Sequence, residues 1–508
     1  MKKFLATICA AALLMTGCGG EKTSAPEKTF TYGTPAYGVA MENVGTNPHE
    51  SYSGWSTLRY GIGETLFKFN ERMELEPWLA ESFEQIDDYT VRIKINDAAK
   101  FSNGKKVDGA AVKKCLDALI KNHDRAPRDL KISEITADGQ FVTIKSAEKV
   151  PALLNYLSDP YGCIVDVDAG VKNKIVTGTG AYKAVKVTDT QIELVANENY
   201  WGAVKPKLKK IIVKSIPDGD TLTMAMQNGE LDAAQGLPYA SLQLFQNDNY
   251  KISQTNTSRV YQIAFNFKTP VLQDINVRRA ISGAIDKDGF TKVLLNGNGT
   301  PAIGAFPANL PFGGDRVHSV PYDLDGAKKL LADAGWTDSN GDGFVDKDGK
   351  NLELNYLTYT SRQELPLLAE AAQANLKLIG VKLNVNATDN YKTFLKSGDY
   401  DIFSKAIVTA PTGDGEYYFT SHIVPGAVDN AGFYDSAQIV ALEDELHNTF
   451  GADKRAELAI KMSQQVLDDC ALIYAAHLKM SLVMKPNVEG FTAHPSDYYE
   501  ITAALDVR

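Results

Sequence analysis

The chain has 508 residues, about three times a typical domain, so two or three domains are expected and a mini-protein is excluded. Hydrophobic residues make up 44% and charged residues 23%, a balance that buries a large core and excludes intrinsic disorder. The formal charge of -10 excludes functions that need a clustered cationic face, namely nucleic-acid binding and electrostatic capture at an anionic membrane.

Lys2 and Lys3 precede an apolar run from Phe4 to Met15. The run is too short for a membrane span of ~20 residues and reads as a signal peptide over residues 1–17. Its end, Leu14-Met15-Thr16-Gly17-Cys18, resembles a bacterial lipobox, with Met15 where Leu is usual. The resemblance implies cleavage before Cys18, lipidation of Cys18 and a polar tether to Lys28; a plain secretory signal is the competing reading. Either way the folded body is exported. Removing residues 1–17 deletes two lysines and no acid, so the charge moves from -10 to -12. Three cysteines then remain, Cys115, Cys163 and Cys470, which permit at most one disulfide, fit no zinc spacing and are expected to be small buried residues.

Alternating apolar and basic residues at Val91-Arg92-Ile93-Lys94-Ile95 predict a half-buried strand. A turn at Phe101-Ser102-Asn103-Gly104 follows, then a helix through Val112, Cys115, Leu116 and Leu119 to Asn122. Strands are expected at 192–194 and 211–213, and a helix from Thr221 to Gln227 that Asn228-Gly229 stops. Longer helices are expected at 276–285, 324–335 and 363–379. In the last, Leu365, Leu368, Ala372, Leu376 and Ile379 share a face, and Gly380 breaks the helix before a strand at 381–385. The fold class predicted is mixed α/β (α+β), and the absence of a repeat of about 20 to 50 residues excludes solenoids and propellers.

Five strings along the chain carry a more specific signal. They are Pro77-Trp78-Leu79-Ala80-Glu81-Ser82 with Lys100-Phe101-Ser102-Asn103-Gly104; Thr177-Gly178-Thr179-Gly180-Ala181-Tyr182; Asn197-Glu198-Asn199-Tyr200-Trp201-Gly202; Gly229-Glu230-Leu231-Asp232; and Asn276-Val277-Arg278-Arg279-Ala280-Ile281. In this order they resemble the family 5 extracellular solute-binding proteins of ABC importers, which bind peptides, nickel and metal chelates. The resemblance implies a two-lobed periplasmic-binding-protein type II fold with a hinge and an interlobe cleft. Lobe 1 would span 29–264, with a subdomain inserted at about 55–175; lobe 2 would span 265–470, and 471–508 would return to lobe 1. The chain would cross near Tyr261 to Phe267 and return near Ile473, and ligand would act by stabilising the closed form.

No His-Glu-x-x-His, Gly-x-Ser-x-Gly or phosphate-loop spacing occurs, and no enzyme is expected. Asp338-Ser339-Asn340-Gly341-Asp342-Gly343 begins like an EF-hand loop but has Gly349 where the bidentate Glu belongs, so a hairpin turn competes with calcium. Of seven histidines none is spaced for a local chelate; His123, His318 and His447 are expected to be solvated. His49, His422, His477 and His494 are the metal-ligand candidates, and at least one of the four is expected to meet ligand. In the segment Ala410 to Phe419, peptide binders of the family carry an Asp for the ligand's ammonium where Pro411 stands here. Asp414, Glu416 and Tyr417 remain as candidate contacts. The family's chelate-holding Arg is missing from Asp159-Pro160-Tyr161-Gly162-Cys163-Ile164. Arg259 could supply a carboxylate fork instead, beside Tyr261, with a structural role as the alternative.

The function expected is a lipid-anchored importer component that binds nickel or another transition metal, free or as a small chelate, with no resident cofactor. Its partners would be a permease and its ATPase subunits, with membrane contact only through the anchor and a monomeric state. A di- or oligopeptide binder and a chemosensory lipoprotein are the alternatives.

Overall fold

A computed structural model of the chain describes residues 28–35 and 45–508. The signal peptide, Cys18 and most of the tether lie outside the described residues.

One 11-stranded mixed sheet runs through the molecule. Its strands are β1 (Thr29–Thr34), β2 (Tyr182–Val187), β3 (Gln191–Ala196), β4 (Lys210–Ser215), β5 (Ala233–Gln235), β6 (Lys251–Phe265), β7 (Glu353–Thr358), β8 (Lys382–Ala387), β9 (Ile402–Val408) and β10 (Leu472–Met484). They lie in the order β8-β7-β9-β6-β10-β5-β1-β4-β3-β2, with Gly299–Pro301 added on β10. The two longest strands, β6 and β10, pair antiparallel and join the halves. Their outer parts, Lys251–Asn256 with Lys479–Met484, belong with β5 and β1; their inner parts carry β9 on Arg259–Phe265. The ladder loses register between Asn256 and Val260, just ahead of the crossing expected near Tyr261 to Phe267. A bulge of this kind bends a strand and re-aims its side chains, and it places Arg259 where the halves meet.

The elements form where local chemistry directs them. The helix Gly109–Asn122 starts because the Asp108 side chain accepts the Ala111 N–H, and its buried stripe is Val112, Cys115, Leu116 and Leu119. It covers a four-stranded sheet made of Ala80–Asp87, Thr90–Ile95, Phe141–Ser146 and Ile132–Asp138, which has its own core. The helix Glu364–Lys377 buries Leu365, Leu368, Ala372 and Leu376 as expected, and Gly380, at φ +76°, turns the chain into β8. A 17-residue helix, Ala452–Asp468, was not expected. Its buried stripe includes Arg455 and Ser463, which interrupt the apolar periodicity.

Candidate functional site

The segment 410–418 leaves the end of β9 and lies against the first half of the molecule. Asn155 Nδ2 donates to the Thr412 carbonyl at 2.9 Å, and Tyr498 Oη donates to the Pro411 carbonyl at 2.9 Å. Gly413, at φ +67°, faces the Met73 carbonyl so closely that a Cβ would sit 2.3 Å from it. The two halves therefore touch across the cleft through backbone carbonyls.

The acids of this segment are already engaged. Arg455 Nε and Nη2 donate to the two carboxylate oxygens of Asp414, both at 2.7 Å, and Nη2 also donates to Glu416 Oε2 at 2.6 Å. His447 Nδ1 lies 2.7 Å from the other Glu416 oxygen. Burial alone would raise the Glu416 carboxyl, but the His447 hydrogen bond and the Arg455 charge hold it below its ordinary value. His447 is raised by the same bond. It is thus anchored rather than free in solvent, and His123, also expected to be solvated, is buried because its Nδ1 accepts the N–H groups of Arg125 and Ala126. Glu416, Glu443 and His447 form the one group of three metal-capable side chains with ligand atoms within 4.8 Å of one another among the described residues.

No such group contains His49, His422, His477 or His494. His49 is buried with Nε2 3.6 Å from Cys115 Sγ, and burial pushes its pKa down to about 4. His477 lies in β10 with neither ring nitrogen fully hydrogen-bonded, only the Gly304 backbone offering a weak contact; burial lowers it to about 3. His494 Nδ1 is 2.7 Å from Ser496 Oγ while Nε2 faces the backbone of Phe69 and Asn70 without a full bond, and burial lowers it to about 4. His422 lies apart on the wall of a cavity, its Nδ1 3.0 Å from Lys405 Nζ. An ammonium has no lone pair, so this Nδ1 accepts and Nε2 carries the proton. Burial and then the Lys405 charge lower His422 to about 3.

Arg259 has no ion pair and no side-chain hydrogen bond among the described residues. Burial lowers its pKa, the nearby Arg362 charge lowers it further, and Asp497, Tyr239 and Tyr261 oppose both. Asp497 is itself paired with Arg59. Tyr261 points into the second half, where its hydroxyl donates to Glu364 Oε2 at 2.8 Å. Tyr417 is 37% exposed beside His422 and lies within the field of Arg125 from the first half. The EF-hand-like loop turns its acids on itself: Asp338 accepts the N–H groups of Gly341 and Gly343, and Asp346 accepts from Ser339.

Sequence reasoning missed Arg362 and Lys405. Lys405 was findable as a lone charge inside the apolar strand Ile402–Val408, whereas Arg362, in an exposed turn, gives no signal.

Two halves joined by paired strands and meeting over a polar cleft are the architecture of a solute-binding protein. Residues 74–426 match the sequence model of the bacterial extracellular solute-binding proteins, family 5 Middle, and the chain belongs to that family. It is 27% identical over 506 residues to the nickel-binding protein NikA of Staphylococcus aureus, covering 98% of each chain. A solved nickel ABC transporter protein from Bacillus halodurans is 28% identical with a TM-score of 0.85, over 95% of this chain and 100% of that one. NikA of Staphylococcus aureus in complex with Ni(L-His)2 is 25% identical with a TM-score of 0.72, over 95% and 100%. The resemblance and the two-lobed mixed α/β fold read from the sequence are thus established. Among the described residues no helix is long and apolar enough to cross a membrane.

Proposed function

We propose that this protein is the lipid-anchored, substrate-binding component of an ABC importer that captures nickel or another transition metal as a small carboxylate-bearing chelate and delivers it to the permease. The observation that carries the reading is the charge left over at the cleft. Asp414 and Glu416, which a peptide's ammonium would need, are consumed by Arg455, while among the described residues the cationic Arg259 has no acidic partner bound to it. A desolvated guanidinium is offset by a carboxylate that arrives with the ligand. No three of the candidate histidines gather around one point, so the metal is expected to bring most of its own donors. The relatives named for nickel support this choice of cargo.

The test is unfolding of the metal-stripped protein titrated with nickel, nickel plus excess L-histidine, and a tripeptide pool. Ligand at 100 times its dissociation constant adds ~2.7 kcal/mol of stability. The expected result is a rise with the nickel-histidine complex that Arg259→Gln removes. A rise with tripeptides and none with either nickel form would move the cargo to peptides. Incorporation of labelled fatty acid that Cys18→Ser abolishes checks the anchor. Ligand-dependent stimulation of the permease ATPase separates an importer component from a chemosensory lipoprotein.

A further inference from the structure

A cavity of about 600 Å³ lies within the second half, between β9 and the loop 425–431. Its wall is a shelf of rings: Tyr359 and Tyr391 have centroids 4.8 Å apart, and Tyr391 stacks on Phe403 at 6.0 Å with planes 13° apart. Its floor carries Lys405, 8% exposed, whose Nζ donates to the Asp429 carbonyl at 2.8 Å and to His422 Nδ1 at 3.0 Å. Among the described residues Lys405 has no carboxylate within ion-pair distance; the acid acting on it, Asp429, is half-exposed and lies 3.9 Å from His422 Nδ1 instead. Val428, at the tip of the loop over the cavity, is 91% exposed. Tyr359 is shared with the cleft, because its ring lines the cavity and lies in the field of Arg362 and Arg259.

We propose that this cavity is a ligand subsite for a planar ring bearing a carboxylate, the ring lying along Tyr391 and the carboxylate meeting Lys405 Nζ. Three features together fit such an occupant. The volume lies in the range of small-molecule sites. The parallel rings of Tyr391 and Phe403 continue naturally into a third flat ring. The third proton of the buried Lys405 ammonium has no protein acceptor among the described residues, and the acids that also line the cavity, Asp429 and Asp435, are exposed at its rim, so the floor itself presents a donor. A metal ion is disfavoured there by the ammonium, and a cationic ligand likewise. The inference rests on the solute-binding reading and not on the choice of metal.

The probes are phenylacetate and phenylacetamide, which share a ring and differ in charge. Calorimetric titration of the whole protein should show the acid binding about tenfold or more tighter than the amide, the worth of one charge-assisted hydrogen bond. Lys405→Met should bring the two to parity, and Leu395→Trp, which adds bulk at a half-buried lining residue, should weaken both alike. Equal binding of acid and amide to the unmodified protein, a preference for the acid that survives Lys405→Met, or no binding of the acid at millimolar concentration would each overturn the proposal. If Lys405→Met does not fold, the acid-to-amide ratio and Leu395→Trp still decide. Nickel titration reports on the cleft and aromatic-acid titration on the cavity, so each reading fails separately.

Discussion

Removing Arg455 tests whether the acids of the cleft segment are structural. The Arg455 side chain is 5% exposed and those of Asp414 and Glu416 are 11% and 8% exposed, so Arg455→Met leaves the Asp414 carboxylate without its cation and Glu416 with His447 alone in a nearly dry site. Breaking a buried pair by removing one partner costs about 3–5 kcal/mol. For a chain this long, with a urea slope of roughly 3 kcal/mol per M, the midpoint should fall by about 1 M or more. The sign with pH is fixed by the Glu416 shift. Its folded pKa is depressed, so the wild-type contribution is present above the unfolded value of 4.5 and is lost as pH falls through the folded one. In Arg455→Met only the His447 hydrogen bond opposes burial, and Glu416 takes up its proton sooner as pH falls. The gap between the two proteins should therefore be widest near neutral pH and narrow toward pH 4. Adding Asp414→Asn and Glu416→Gln to Arg455→Met should recover stability. The reasoning is refuted if the neutral-pH loss is below about 1 kcal/mol, or if Asp414→Asn abolishes ligand binding while barely moving the urea midpoint, which would make Asp414 a ligand contact.

Two further predictions concern the first half. Trp201 Nε1 and Tyr200 Oη donate to the buried Glu64 carboxyl at 2.7 and 3.0 Å, and burial pushes that carboxyl up to about 7. Trp201→Phe should cost about 1–3 kcal/mol for the lost donor. Because the Glu64 pKa is raised, its favourable contribution is greatest below pH 4.5 and fades as pH rises through about 7. The Trp201→Phe penalty should therefore be larger in urea melts at pH 8 than at pH 5, and a pH-independent penalty would contradict the assignment. Gly180 faces the Gly61 carbonyl, where a Cβ would lie 2.1 Å from the oxygen. Gly180→Ala should destabilise by at least the ~1–3 kcal/mol of an overpacked core, and an unchanged urea midpoint would show that the backbone gives way freely.

The strings that identified the family are legible because they carry fold rather than cargo. Gly178 and Gly180 lie against the backbone of 61–63, where any side chain would collide. Tyr200 and Trp201 satisfy Glu64, and Asp232 accepts the Thr31 N–H and pairs with Lys485. Arg278 donates to the carbonyls of Leu272, Gln273, Asp469 and Cys470, fastening its helix to the start of β10. Each string is a short contiguous pattern whose partners are backbone, one buried acid or one lysine of the same fold, so the residue types recur with the fold. The cleft differs in kind. Whether Asp414 is open to a ligand depends on Arg455, 41 residues away in an unexpected helix. Whether Arg259 is open depends on Asp497 having turned to Arg59. A carboxylate or guanidinium reads the same in the sequence whether paired or free, and only the free ones can hold cargo. That is why many elements and the family were readable from the residues while the pairing of the charges around Arg259 and Lys405 emerged only when the partners from distant segments were accounted for.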